Sequence, residues 1–277
     1  MIEPFEFAFF RQGFVVATIA GALCGLVGVF VVLRGMSYIG HGLSHAIFGG
    51  AVASYVMSVN FYVGAGLWGV VSALLIGGVA RRRAIGADAA IGVITTASFA
   101  VGVALLSRAK GFTRNFEAAL FGNVLGVRMG DVVVVALVAL FAAAVVFLRY
   151  RALLFTTFDP EVAEVSGVRT GRLDALLALV LATTIVSTMQ ILGVTLIAAA
   201  LVIPAVVARL LTNAYAPLLW LATGIGAVCG AAGMYLSWYL DVSSGATIVL
   251  VAAALFTVVF LLTGRRGRVR LAGTASH

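Results

Sequence analysis

Long apolar stretches recur along almost the whole chain, and they restrict its fold more than any other feature. Nine such runs occupy residues 12–33, 41–58, 63–80, 88–107, 131–148, 173–190, 194–211, 216–238 and 245–263. Each is close to the ~20 apolar residues that an α-helix needs to cross a bilayer. Because only Gln190 and Gly193 separate the sixth run from the seventh, we predict an all-α polytopic transmembrane bundle with eight or nine spans.

The composition excludes a water-soluble domain. Of the 277 residues, 63% are hydrophobic and only 10% are charged, and the mean hydropathy is +1.17. Soluble domains carry about 25% charged residues, so this chain has too few to cover a soluble surface. The spans and short loops use nearly all of the sequence. We therefore predict one transmembrane domain over residues 1–277, surrounded by lipid, with no catalytic domain and no nucleotide-binding motif.

Positive charge collects on one side of the predicted bundle. When the runs alternate in direction, thirteen of the 18 Lys and Arg residues fall on the same side. They are Arg34, Arg81, Arg82, Arg83, Arg149, Arg151, Arg169, Arg172, Arg209, Arg265, Arg266, Arg268 and Arg270. Positively charged loops stay cytoplasmic, which predicts an outward N-terminus and a basic cytoplasmic tail at residues 264–277. No basic stripe is interleaved with aromatic residues, so nucleic-acid binding is not expected.

Two segments outside the runs are predicted to lie at the membrane surface. Residues 1–11 carry Glu3 and Glu6 where a signal peptide would be positive, which indicates a retained interfacial segment. The outer connection 108–130 is predicted to form a short surface helix. Its residues at helical spacing are Phe116, Ala119, Leu120 and Val124.

The inner connection 155–174 is where acidic residues cluster. Asp159 followed by Pro160 and Glu161 predicts a helix start, because a side-chain cap, an N1 proline and an early acid each favour one. Gly167 predicts its end. A short charged helix on the cytoplasmic face favours docking of a soluble partner, and an ordinary loop is the alternative.

His41 and His45 are the residues best suited to carry chemistry. They are four residues apart, so on a helix they lie one turn above the other on the same face. Two imidazoles at this spacing can bind one metal ion such as zinc. Ionisable residues within a span mark a transport path or an internal pairing. The alternative is that the two histidines are hydrogen-bonded inside the bundle or face interfacial water. Gly40 and Gly42 allow close approach of another helix or another copy of the chain.

Three further residues are candidates for a path or a moving helix. Asp88 opens the fourth run, where an acid either lines a cation path or caps the helix. Asp241 lies at the outer end of a run, where an acid meets an incoming cation or stays solvated in a loop. Pro204 is expected to kink its span by removing one backbone hydrogen bond.

Five collinear segments resemble one family, the membrane-spanning permease subunits of ABC-type importers for zinc, manganese and iron. They are residues 32–46 (VLRGMSYIGHGLSHA), 88–92 (DAAIG), 158–163 (FDPEVA), 192–205 (LGVTLIAAALVIPA) and 233–249, which together extend over most of residues 12–263. Two positions depart from the family pattern. His41 stands where aspartate is usual, and Ser243 stands where proline is usual.

The resemblance implies a homodimeric permease with the metal path at the two-fold interface. It implies a cytoplasmic subunit that binds and hydrolyses ATP, an extracytoplasmic metal-binding protein, and no permanently bound cofactor besides the transported ion. The segment expected to couple to the ATPase includes Phe158, Asp159, Glu161, Ala163, Glu164 and Gly167. Imidazole in place of carboxylate at His41 favours zinc over manganese. The alternatives are an ABC permease for a metal chelate such as haem, a siderophore or a corrinoid, and a secondary metal transporter.

Overall fold

The computed structural model describes residues 3–80, 87–108, 122 and 124–274. The regular secondary structure in these ranges is helical throughout, with 3-10 turns at Glu3–Glu6 and Val124–Gly126. The α-helices of the described ranges are α1 (Ala8–Leu33), α2 (Ser37–Val56), α3 (Phe61–Ala80), α4 (Ala87–Arg108), α5 (Met129–Leu148), α6 (Tyr150–Phe158), α7 (Pro160–Val165), α8 (Thr170–Leu192), α9 (Ile197–Leu211), α10 (Tyr215–Leu240) and α11 (Ser244–Thr274).

Nine helices of the described chain coincide with the nine apolar runs, which confirms the all-α transmembrane bundle. Within the same ranges, seven are both long and apolar enough to cross a membrane: α1, α3, α4, α5, α8, α10 and the Ser244–Thr263 part of α11. α2 has the length but is made less apolar by its histidines, glycines and serines. α9 is apolar but has 15 residues. At 1.5 Å per residue such a helix is about 22 Å long, shorter than the ~30 Å hydrocarbon core.

The division between α8 and α9, which the sequence marks only weakly, is a turn at Gly193. This glycine has φ 82° and ψ 151°, a left-handed backbone that residues with a side chain rarely adopt. Its N–H donates to the carbonyl of Met189 and ends α8. α9 then continues past the buried Pro204 as one helix to Leu211. The kink at Pro204 stays a prediction.

The long helices alternate in direction, so the bundle has two ends. We call them the Arg34 end and the Asp241 end, after a residue at each. At the Arg34 end, the residue after α1 contacts Asp174 at the start of α8. At the Asp241 end, Trp238 near the end of α10 lies edge-on to Phe10 near the start of α1, with ring centroids 5.4 Å apart. α2 begins at the Arg34 end, and α11 runs from the Asp241 end to the Arg34 end.

Exposed arginines are unequally divided between the two ends. At the Arg34 end lie Arg149, Arg151, Arg169, Arg172 and Arg209, while Arg11 and Arg128 lie towards the Asp241 end. The helical backbone of α11 carries the basic tail beyond the last apolar residues at the same Arg34 end. Residues 81–86 lie outside the described chain. The described arginines thus follow the one-sided pattern that the sequence predicts.

The tightest packing of the bundle lies between α1 and α10. α1 is buried over most of its length and contacts α5, α8, α9 and α10. Gly21 of α1 faces Gly226 of α10, and a Cβ on either residue would collide with the carbonyl oxygen of the other. Small residues let membrane helices approach this closely, and dispersion contacts along the shared length then stabilise the pair.

The N-terminal segment folds against the bundle. Pro4 is buried, and Phe5 lies edge-on to Phe10 with centroids 5.2 Å apart. α1 begins at Ala8, earlier than the first apolar run. The surface helix was predicted within the connection 108–130, of which residues 109–121 and 123 lie outside the described chain. Of its predicted residues, Val124 is described, and it is buried in a 3-10 turn.

Candidate functional site

The two histidines of α2 lie on an open face of this helix. His41 is exposed and His45 is half-buried, and their ring centroids are 4.6 Å apart. Phe99 of α4 packs edge-on against the His45 ring at 5.3 Å. The Ser44 hydroxyl donates to the His41 carbonyl at 2.7 Å, so it satisfies the helix backbone rather than an imidazole. The two side chains thus lie one turn apart on the same face, as their spacing predicts, with the rings edge-on to each other.

The other face of α2 is held by close packing inside the chain. A Cβ on Gly42 would collide with Ile91 and Thr95 of α4, and Gly40 lies beside Leu201 of α9. Both glycines therefore admit neighbouring helices of the same chain. This packing on α4 and α9 fixes the rotation of α2 about its axis, and the histidines are turned outward as a consequence.

Two imidazoles are an incomplete ligand set. A protein-bound transition-metal ion usually takes four or more ligands. In the chain as far as the structure describes it, no group of three or more His, Cys, Asp or Glu side chains could hold a metal ion. Among the described residues, His41 and His45 therefore supply at most half of a tetrahedral site.

Of the two candidate aspartates, only Asp241 has a described side chain, and it lies away from the histidines. Asp88 is the second residue of α4, so its backbone lies at the Arg34 end, and its side chain is outside the described structure. Asp241 is exposed, ends α10 with a left-handed φ of 53°, and lines a cavity of about 550 Å³ with Trp238 and Ser243. This cavity lies at the end of the bundle remote from the start of α2.

The predicted charged helix in the connection 155–174 is present as α7. Asp159 accepts a hydrogen bond from the Val162 N–H at 3.0 Å, and Pro160 is the first helical residue. At the other end, Val168 N–H donates to the Ala163 carbonyl and Gly167 N–H to the Glu164 carbonyl, with Gly167 at φ 82°. These two bonds form a Schellman motif, which confirms both the start and the stop that the sequence predicts.

The apolar side chains in and beside α7 are exposed, with one exception. Phe158, Val162 and Val165 are 56%, 47% and 90% exposed, but Ala163 is fully buried within its own chain. Ala163, which we expected among the residues that couple to the ATPase, therefore offers no side-chain surface to a partner, because α7 packs it against α6 and α8. We name the exposed set Phe158, Val162 and Val165, with Glu161 beside it, the docking face.

Arg34 has a structural role that the sequence did not indicate, since the sequence marks it as a positive charge at a membrane boundary and as part of the family-like segment 32–46. Its Nη1 lies 2.7 Å from Asp174 Oδ1, and its Nη2 donates to the Thr156 hydroxyl at 3.0 Å. Its Nε donates to the Thr157 hydroxyl at 3.4 Å. The available signal was that these threonines and Asp174 flank the acidic segment on both sides.

Comparison with known proteins identifies the family. Residues 6–263 match the ABC 3 transport family. The chain belongs to this family. It is therefore a membrane subunit of an ABC transporter, a transport component rather than an enzyme, which confirms the family predicted from the five segments.

Relatives of known name extend over almost the whole chain. One is a Halalkalibacterium halodurans protein named manganese transport system membrane protein MntC, with 38% identity. The match covers 95% of this chain and 90% of that protein. Another is a Haemophilus influenzae protein named probable iron transport system membrane protein, with 32% identity. The match covers 93% of this chain and 95% of that protein. The solved structure of PsaBC from Streptococcus pneumoniae in complex with Fab superposes with a TM-score of 0.83 at 32% identity, over 92% of this chain and 91% of the other.

Proposed function

We propose that this ABC 3 family member is the permease of an ATP-driven importer for a divalent transition-metal ion. The observation that carries the proposal is the pair of adjacent imidazoles, His41 and His45, on the open face of α2. Ionisable side chains inside a span are costly and mark ion pathways. The names of the relatives, which refer to manganese and iron transport, support the same class of substrate.

A second copy of the chain completes the ligand set. A two-fold axis beside the open face of α2 brings four imidazoles together, His41 and His45 from each copy, which is the number a tetrahedral site requires. Exposed apolar side chains on other helices, such as Leu137 of α5 at 61% exposure, face lipid in this arrangement. The path of the ion then runs along the dimer interface.

The Arg34 end is cytoplasmic in our proposal. The exposed arginines gather at this end, and positive residues stay in the cytoplasm. This orientation puts the docking face and the C-terminus on the side where ATP is available. The docking face then seats on a cytoplasmic subunit that hydrolyses ATP, and an extracytoplasmic binding protein delivers the ion at the Asp241 end.

Two ions are the leading candidates, and different observations favour them. The MntC relative favours manganese by its name. The substitution of imidazole for carboxylate at His41 favours zinc, because nitrogen ligands suit zinc better than they suit manganese. A metal chelate is the alternative substrate. Because the chain belongs to an ABC family, an ATP-driven mechanism is favoured over a secondary transporter.

The test is the metal content of cells with and without this chain, grown first under manganese limitation and then under zinc limitation. We expect cells without the chain to lose the imported ion under one of the two conditions. His41→Asp should shift the preference towards manganese, since it restores a carboxylate. Unchanged manganese, zinc and iron in cells that instead fail to take up haem or a corrinoid would replace the ion proposal by the chelate alternative.

A further inference from the structure

The Arg34 side chain joins three helices at one end of the bundle. Arg34 directly follows the last residue of α1. Its guanidinium donates to Thr156 and Thr157 in the last turn of α6 and to Asp174 near the start of α8. Its side chain is only 12% exposed, so water competes weakly for these bonds. A guanidinium can hold several acceptors at once because its donors point in fixed, different directions.

The acceptors of Arg34 bracket the docking face. Thr157 immediately precedes Phe158, and Asp174 follows the Schellman motif by one helical turn of α8. A displacement of α7 by a partner therefore moves the acceptors on both sides of it. Because one guanidinium holds both sides, such a displacement is passed to the end of α1.

The same residue is close in sequence to the histidines. Only Gly35 and Met36 separate Arg34 from the first residue of α2, and Gly35 has φ 65° with no atom within 4 Å of a Cβ built on it. A cavity of about 260 Å³, lined by Arg34, Met36, Asp174 and Gly77 among others, lies beside this turn. The turn that joins Arg34 to α2 is therefore loosely packed, and the hydrogen bonds of Arg34 fix the point from which α2 starts.

We propose that Arg34 is a positioning residue that transmits movement of the docking face to α2 and thereby to His41 and His45. This inference rests on the proposed transport function and adds the connection between the ATPase and the ion path. Arg34 touches neither the ion nor the partner. Its function is to keep α1, α6, α8 and the start of α2 moving together.

The experiment measures ions transported per ATP hydrolysed by the purified permease and ATPase complex in liposomes, with manganese and zinc as probes. Arg34→Lys keeps a charge for Asp174 but loses the planar fork, and Thr156→Val removes one acceptor at nearly constant volume. We expect both to retain assembly and hydrolysis while ions per ATP fall, by about tenfold for Arg34→Lys, the size typical of losing hydrogen bonds to a charged group. Arg151→Lys, an exposed arginine at the same end, is the matched control and should leave the ratio unchanged.

Two results would overturn the proposal. The first is a ratio of ions to ATP in Arg34→Lys and Thr156→Val that equals the wild-type ratio. The second is a loss of transport and hydrolysis together, in proportion to the complex recovered, as expected for a purely structural residue. Failure of the wild-type complex to move either ion counts against the transport function instead. The two failures are therefore distinguishable.

Discussion

The α1–α10 contact and the Arg34 end of the bundle are stabilised by different kinds of interaction. Between α1 and α10, side chains are absent where the helices meet, and Gly21 and Gly226 bring the two backbones together. At the Arg34 end, side chains carry the contacts, through a guanidinium, two hydroxyls and a carboxylate. The first region has almost no freedom to change, whereas the second contains a cavity and an exposed docking face.

This difference indicates which part of the molecule can move. Close backbone packing is destroyed by any added volume, so α1 and α10 behave as one rigid unit. Polar contacts at the Arg34 end can break and form again as their partners shift. We therefore expect substitutions in the first region to change folding and substitutions in the second to change transport.

The largest effect should come from adding volume to the rigid region. Gly21→Leu places a side chain where the Gly226 backbone lies, and we expect it to destabilise the fold by about 3 kcal/mol or more. The measurement is the yield of monodisperse protein in detergent and its thermal unfolding. Gly66→Ala, where a Cβ meets no atom within 4 Å, is the control and should be tolerated. Normal unfolding of Gly21→Leu would show that α1 and α10 can separate.

The next effect concerns the open face of α2. His45→Ala should abolish ion uptake, because it removes two of the four proposed imidazoles from the dimer, while leaving folding and ATPase binding unchanged. Uptake of manganese and zinc and co-purification of the ATPase are the measurements. Leu137→Ala, at an exposed position of α5, is the matched control. Wild-type uptake by His45→Ala would exclude the histidines from the path.

A smaller effect is expected at the docking face. Val165 is 90% exposed, so Val165→Asp should leave the fold intact but weaken ATPase association about ten- to a hundredfold, as for an apolar anchor residue. Glu161→Lys should act mainly through charge, so its defect should depend on salt concentration. Recovery of the ATPase on the tagged permease checks both variants. Full recovery for both, with normal stimulation of hydrolysis, would leave α7 as an ordinary surface helix.

The smallest effect should come from the cap of α7. Asp159→Ala loses the bond to the Val162 N–H and should cost about 1 kcal/mol of local helix stability. We expect faster hydrogen exchange at residues 160–165 and a few-fold weaker ATPase association. Asp159→Asn keeps an acceptor and should behave like the wild type. Equal exchange in all three proteins would show that contacts to α6 and α8 alone hold this helix.

Local patterns predicted much of the fold because they describe interactions within one segment. The nine apolar runs became helices, and the Asp159 cap and the Gly167 stop became the ends of α7. The short length of α9 was harder to predict from the sequence, because the turn at Gly193 and the residues after it are as apolar as the helices they join. The burial of Ala163 was not predictable from the sequence, because a helix of six residues has too few turns to show which face is covered.

The sequence by itself determined the bundle, its one-sided charge, the capped docking helix and the spacing of His41 and His45. Tertiary structure alone decided that α2 turns its histidines outward, that Ala163 faces inward and that Arg34 links α1 to both sides of α7. The physical reason is the solvent. In a membrane, both lipid and neighbouring helices favour apolar side chains, so hydrophobicity reports that a helix spans but not which face is packed. Only the contacts between helices carry that information.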